Sequence, residues 1–300
     1  MSKTTKIWLI IATSLTLIGL IIFGGAMTIM KWDFSKLSTV KYETNRYEIT
    51  ENFKDISIVT DTAVIEFAPS ENGKTSVVCH EEAKAKHSVT VNDGTLTVKL
   101  ENTKKWYDHI GIGFNAPKIT VYLPSGEYGA LTAKGTTGGA KIAADFAFES
   151  IRVSFTTGDI KSYASASGAV ILKATTGRIT AENCSADSFE ASVNTGNVNA
   201  KNLTCKNFTS VGSTGDIKFE NVIAEEKISI KRSTGDVTLG TCDAAEIFIK
   251  TDTGSVTGTL LSEKIFFARS DTGSVKVPQS TSGGRCEITT DTGNIRISIK

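Results

Sequence analysis

The amino-acid sequence predicts an all-β protein, a right-handed parallel β-solenoid, preceded by one membrane-spanning helix. Three observations predict this fold class. A Thr-Gly pair occurs nine times at intervals of 19 or 20 residues between residues 137 and 293, apolar residues alternate with period two around each pair, and an uncharged apolar segment covers residues 7–29. The 300 residues include 26 Gly and only 4 Pro, in a chain rich in Thr, Ser, Val and Ile, which favours strands and turns.

The apolar segment 7–29 is long enough to span a membrane, because a helix rises about 1.5 Å per residue and the hydrocarbon core is about 30 Å thick. Lys3 and Lys6 precede it, whereas Lys31 and Lys36 after it are partly offset by Asp33. This charge bias predicts a cytoplasmic tail at residues 1–6 and an extracellular chain after a connector at residues 30–41. Cleavage as a signal peptide near Gly24 is the alternative.

Residues 42–131 are predicted to form a β-rich N-terminal cap together with the first strands. Four strand-like runs lie in this region, and Asn92-Asp93-Gly94 stands between two alternating runs, which is a strong hairpin signal. The end of a solenoid exposes unpaired strand edges, so it needs such a cover.

Residues 132–300 carry the repeats. Each unit is too short to bury its apolar residues alone, so successive units must stack, about 4.8 Å apart, into a rod about 40 Å long. The Gly of each pair is predicted to turn a corner that requires positive φ. These corner residues include Gly158, Gly177, Gly196, Gly215, Gly235, Gly254, Gly273 and Gly293.

Three columns of residues are predicted to face the interior. The clearest one lies two positions after each Gly and is almost uniformly branched and apolar: Ala140, Ile160, Ile179, Val198, Ile217, Val237, Val256, Val275 and Ile295. The other two lie seven and five positions before each Gly. We call one turn of this repeat a rung.

Composition excludes several functions. Lys and Arg total 33 against 32 for Asp and Glu, so no net charge attracts nucleic acid. The five cysteines are odd in number and lack C-x-x-C spacing, which predicts small buried hydrophobes and neither a disulfide framework nor a zinc site. No cofactor motif is present.

The triplet Asp-Thr-Gly, found in aspartic proteases, occurs three times here. Its Asp position is filled by Thr, Asn or Ser in the other units, so no pair of catalytic carboxylates is expected. Asp252, Asp271 and Asp291 would stack on one outer corner and form a weak candidate metal site, unless Lys231, Lys250 and Arg269 pair with them. The sequence favours a protein that is not an enzyme, and the alternative is a β-helix enzyme acting on polysaccharides.

Exposed aromatic residues suggest a binding surface. Phe248 and Phe267 occupy the same outward position of consecutive units, six residues before the Gly. A second candidate is the aromatic and basic loop 104–114, which includes Trp106 and Tyr107. Exposed aromatics of this kind indicate contact with a partner, a glycan or the membrane surface.

The opening "IVTDTAVIEFAPS", the strand "KITVYLPS" and the repeated x-T-G-[DNS]-[IV] units resemble the bacterial putative-adhesin family, β-strand repeat domains of unknown function common in Gram-positive membrane proteins. The resemblance covers residues 40–300. It implies a membrane-anchored extracellular protein that binds or senses the cell envelope, through a cell-wall glycan or another envelope protein. An alternative it leaves open is a regulatory partner of another membrane protein in the envelope-stress response. It supplies no catalytic or ligand-binding residues.

Overall fold

The computed structural model describes residues 2–34, 38–106 and 115–300. The first element is helix α1 (Lys3–Ile29), and the Ser2 side chain accepts a hydrogen bond from the Thr5 N–H at its start. Residues 2–23 are all exposed. α1 is long and apolar enough to cross a membrane, so it fits a membrane anchor or a signal sequence.

The rest of the described chain is mostly β-structure, with 22 strands. In chain order they are β1 (Tyr42–Ile49), β2 (Asp55–Val59), β3 (Thr62–Pro69), β4 (Thr75–Glu82), β5 (Ala85–Asn92), β6 (Thr95–Asn102), β7 (Lys118–Leu123), β8 (Gly126–Ile142), β9 (Phe146–Ser162), β10 (Ser165–Ala166), β11 (Ala169–Thr176), β12 (Ile179–Ser185), β13 (Ser188–Thr195), β14 (Val198–Thr214), β15 (Ile217–Thr234), β16 (Val237–Cys242), β17 (Glu246–Thr253), β18 (Val256–Leu260), β19 (Lys264–Thr272), β20 (Val275–Lys276), β21 (Gly284–Thr292) and β22 (Ile295–Ile299).

The N-terminal cap is built from antiparallel strands. β4 pairs with β1, with β7 and with the start of β5, and β5 pairs with β6. The predicted hairpin is present: Asn92 pairs with Thr95, and Asp93 and Gly94 both have positive φ, 48° and 72°. β6 and β7 then pair in parallel with β2 and β3. The cap therefore covers one edge of both β2 and β3.

The solenoid consists of about nine Thr-Gly turns stacked in parallel. The Thr-Gly pairs lie in register, as in the pairing of Thr137 with Thr157 and Gly138 with Gly158. The predicted interior columns form the core: in the column two positions after the Gly, every residue except Val275 is at most 3% exposed. β8 is one continuous strand across residue 131, where the sequence placed the boundary between cap and repeats.

An additional rung lies inside the region predicted as cap. β2 and β3 pair in parallel with β8, so that Thr62 lies beside Thr137 and Ala63 beside Gly138. Ala63 thus occupies the Gly position of the repeat, and its carbonyl oxygen would lie 1.9 Å from a Cβ added to Gly138. The Thr-Gly pattern missed this rung because its corner residue is not Gly.

The order of the last three rungs differs from the order of the chain. β21 pairs with both β17 and β19, and β22 pairs with both β18 and β20. The rung of Gly293 therefore lies between those of Gly254 and Gly273, and we call it the inserted rung. β22 covers all five residues of β18, whereas β20 ends after two residues, close before Pro278, which cannot donate a ladder hydrogen bond. The interrupted strand takes the end position, where no further strand has to pair with it.

Candidate functional site

The Thr-Gly corners are determined by backbone geometry. The glycines of all nine corners have φ between 122° and 155°, a conformation that strains residues with a Cβ. A Cβ at Gly196 would also lie 1.8 Å from the Gly177 carbonyl oxygen. The Thr side chains of these corners are exposed. Thr-Gly here is a structural feature of the turn.

At five corners the side chain after the Gly accepts a hydrogen bond from a neighbouring rung, which the sequence reasoning missed. The Asp159 carboxylate accepts from the Arg178 N–H at 2.9 Å, and Asp236 accepts from the Ser255 N–H at 2.7 Å. Asn197, Asp216 and Asn294 accept in the same way from a neighbouring rung. Five of the nine corner units have Asp or Asn after Gly, and that preference was the available signal.

The three Asp residues of the candidate metal site do not converge. They are one to a rung, and the rung order places Asp291 between Asp252 and Asp271. The outer two are two rungs apart, about 9.6 Å, and Arg269 Nε lies 3.0 Å from Asp271 Oδ1. The geometry therefore gives this candidate no support.

The rung order also corrects the predicted stacking of Phe248 on Phe267. Glu287 of the inserted rung pairs with both residues, so the two rings are separated by one strand. Arg285 bridges them: its Cζ lies 5.8 Å from the centroid of the Phe248 ring and 5.0 Å from that of Phe267, and its Nη2 donates to Glu287 Oε2 at 2.6 Å. Lys227 Nζ lies 4.1 Å from the centroid of the Phe248 ring. We call these five residues the aromatic–basic patch.

The aromatic–basic patch is an open surface. The Phe267 side chain is 54% exposed and Phe248 is partly exposed. The neighbouring outward column four positions before the Gly adds exposed cations at Lys231, Lys250 and Arg269. Two rings with basic groups between and beside them suit a ligand that has both apolar faces and polar or anionic groups.

The second predicted surface is only partly described. Trp106 is 77% exposed, which agrees with a role in contact. Tyr107 lies outside the described residues. The loop 104–114 therefore stays a prediction as a binding surface.

The sequence reasoning missed a buried polar cluster in the cap. Glu81 Oε2 accepts hydrogen bonds from the His87 N–H and lies 2.7 Å from His87 Nδ1, while Glu81 Oε1 accepts from the Asn45 amide at 2.8 Å. His87 Nε2 lies 2.9 Å from Thr60 Oγ1. The tight connection between β4 and β5 brings Glu81 and His87 together. The segment "HEEAKAKH" (residues 80–87), whose charged composition is typical of a solvated surface, therefore contains two buried polar side chains.

Cys79 completes the cluster of metal-type ligands. Its Sγ and the ligand atoms of Glu81 and His87 all lie within 4.8 Å of one another, the only such group of three in the described part of the chain. The polar atoms of Glu81 and His87 already have protein partners, and burial, with Glu81 nearby, raises the pKa of the Cys79 thiol to about 12. The cluster is thus a satisfied hydrogen-bond network that fastens the cap to the end of β2.

A shallow groove near the far end of the solenoid contains a Lys, a Ser and an Asp together. Lys264 is buried, and its Nζ lies 2.7 Å from Asp243 Oδ1 and contacts the Ser262 hydroxyl. Ser262 Oγ donates to the same Asp243 oxygen at 2.9 Å. Because the ammonium of Lys264 is held in an ion pair, it offers no free base to activate Ser262.

The five cysteines are free and buried, as the sequence predicts. Burial raises the pKa of Cys205 and Cys286 to about 12 and that of Cys184 and Cys242 to about 11. None of the five is therefore a nucleophile near neutral pH.

Comparisons with known proteins agree with this architecture. The family described as Toastrack DUF4097 matches residues 53–298. A putative lipid binding protein from Parabacteroides distasonis is 14% identical, with 85% of this chain and 96% of that chain covered and a TM-score of 0.51. A putative adhesin from Bacteroides fragilis is 19% identical, covering 87% and 97%, with a TM-score of 0.43. Another from Parabacteroides distasonis is 12% identical, covering 86% and 98%, with a TM-score of 0.49.

At these identities the first of the three structures shows a likeness of fold alone. No curated protein matches the sequence.

Proposed function

Because the chain belongs to the Toastrack DUF4097 family, we propose that it is a membrane-anchored, non-enzymatic binding module of the cell envelope. The observation that carries this proposal is the aromatic–basic patch. Arg285 lies between two aromatic rings on the outer surface of the solenoid. The adhesin-like names of similar structures agree with a surface role.

The proposed topology places α1 in the membrane as an anchor, with the N-terminus in the cytoplasm. Lys3 and Lys6 before the apolar segment support this orientation. The solenoid then lies outside the cell, with its N-terminal cap nearest to α1 in the chain.

The proposed ligand is a cell-wall glycan. The apolar faces of sugar rings pack against Phe248 and Phe267, and the guanidinium of Arg285 and the ammonium of Lys227 donate hydrogen bonds to hydroxyl, carboxylate or phosphate oxygens. The solenoid holds these groups at fixed spacing, so little entropy is lost when a long ligand binds along several rungs.

A co-sedimentation experiment with insoluble cell walls tests the proposal. The full chain in detergent is expected to sediment with the walls, and Phe248→Ala or Arg285→Ala is expected to lower the bound fraction about five-fold or more, consistent with loss of a contact worth about 1 kcal/mol. Val64→Ala is the matched control, because Val64 is 38% exposed and lies on the first rung, far from the patch.

Failure of the unmodified chain to bind would contradict the proposal. Release of soluble fragments from the walls would favour the polysaccharide-acting enzyme instead. A regulatory partner of another membrane protein predicts a different result, in which crosslinking in cells captures one dominant protein and the walls capture none.

A further inference from the structure

The rung formed by β19 and β20, which we call the terminal rung, is open on one face. β19 pairs only with β21, and β20 only with β22, within the described chain. Val275 is 42% exposed, although the other members of its interior column are at most 3% exposed. The core of the solenoid therefore reaches solvent at this end.

The middle of β19 exposes apolar side chains. Ile265 is 37% exposed and Phe267 54%, and the interior residues Phe266 and Ala268 are only partly buried. A nine-residue strand with an unpaired edge and such side chains is a template for pairing with another strand. Native proteins cover edges of this kind or use them.

We propose that the terminal rung binds the terminal rung of a second copy of this chain, with the two β19 strands antiparallel about a two-fold axis. This contact uses the same patch on both copies, as in most symmetric dimers. It extends the sheet of one solenoid into that of the other and covers both exposed cores.

Residues 264–270 of β19 are self-complementary in this arrangement. With the axis at Phe267, the two Phe267 rings face each other, an aromatic cross-strand pair. On the inner face, the large Phe266 lies opposite the small Ala268 of the other copy. On the outer face, Ile265 lies opposite the aliphatic stem of Arg269. On the inner face, the buried Lys264 lies opposite Ser270, so no like charges oppose one another within these seven residues.

Two other occupants fit less well. The opposite end of another copy cannot bind here, because its first rung is already covered by the cap strands β6 and β7. An extended peptide would pair with β19 but leave Val275 of β20 exposed, since β20 lies beyond the Gly273 corner. A second rung has the shape needed to cover the whole end.

Disulfide crosslinking tests the proposed contact. Phe267→Cys in the full chain in detergent is expected to form a covalent dimer under mild oxidation, because residue 267 lies on the axis and the five native cysteines are buried. Phe248→Cys is the matched control. Phe248 occupies the same outward position, but β17 is paired on both edges, so at least ten-fold less crosslinked dimer is expected.

A charge in the contact gives a second test. Ala268→Glu on the Phe267→Cys background should lower the crosslinked fraction at least ten-fold, and Ala268→Glu alone should give a monomer by light scattering. Phe248→Ala should leave the dimer intact, which separates this inference from glycan binding. Equal crosslinking at residues 248 and 267, a monomeric unmodified chain, or a dimer that survives Ala268→Glu would each overturn the proposal.

Discussion

One end of the solenoid is covered by other strands of the chain, and the other end is open. At the N-terminal end, β6 and β7 pair with both strands of the first rung, and a buried network from Asn45 to Thr60 ties the antiparallel cap to it. At the other end, the terminal rung has one paired edge and exposes Val275.

This difference shows where the fold tolerates variation. A rung between two others is held from both sides, and its Gly, its interior column and its corner side chain are all constrained. The terminal rung is held from one side only. Equivalent changes at the two kinds of position should therefore have unequal effects.

The largest effect is expected from opening the cap. Glu81→Ala removes the acceptor of three hydrogen bonds, two from His87 and one from Asn45, and leaves the two His87 donors buried. We expect the free energy of unfolding to fall by about 3 kcal/mol, measured by urea titration of the full chain in detergent followed by far-UV circular dichroism. Glu220→Ala, which breaks an exposed ion pair with Lys201, should not move the midpoint. A small effect of Glu81→Ala would show that the network does not hold the cap.

The corner glycines give the next effect. Gly196→Ala places a Cβ against the Gly177 carbonyl oxygen at a φ of 138°, so we expect a loss of about 2 to 3 kcal/mol in the same titration. Gly273→Ala should cost less, since the terminal rung is free to shift. Gly126→Ala, with no atom within 4 Å of the added Cβ, is the neutral control. Equal losses at Gly196 and Gly273 would contradict the comparison.

A matched pair of substitutions in the interior column compares an internal rung with the terminal rung. Val256 is 0% exposed, so Val256→Ala leaves a cavity in the core. We expect it to lower the free energy of unfolding by about 2 kcal/mol. Val275→Ala, in the same column, should cost less than about 1 kcal/mol at a dilution where the chain is monomeric. A reversal of this order would mean that Val275 is covered in solution by another part of the chain.

The smallest effect is expected from thiol reagents. Burial raises the pKa of Cys79 to about 12, so the thiolate is scarce at pH 8 and its fraction rises only as pH approaches that value. The folded chain should therefore react with a thiol reagent negligibly over an hour at pH 8, whereas the denatured chain should expose five thiols. Rapid labelling of one thiol in the folded chain would identify a region that opens locally.

Much of the fold follows from local patterns in the sequence. The interval between Thr-Gly pairs predicts the rungs, and period-two alternation predicts the interior columns, because each depends on residues close together in the chain. Asn92-Asp93-Gly94 predicts its hairpin for the same reason. Ala63 shows the limit of this approach, since one added methyl group at a corner conceals a rung.

Which distant strands become neighbours was not predictable from the repeat. The Asp-Thr-Gly units at Gly254, Gly273 and Gly293 are nearly equivalent as pairing partners, so their spacing does not determine their order. Pro278 carries the signal, because it ends β20 and makes that strand unsuitable for pairing on both edges. The meeting of Glu81 with His87, and the position of Arg285 between two rings, likewise depend on which strands become neighbours.

The inserted rung has a consequence for how the molecule is assembled. β21 and β22 follow β19 in the chain but lie beneath it, so β19 cannot reach its final position until they have been synthesised. The earlier rungs can form one after another behind the growing end, since each needs only its predecessor. The outermost surface is thus the last part of the solenoid to be finished. A chain that stops before Ile295 lacks β22, leaves β18 uncovered and cannot display the terminal rung.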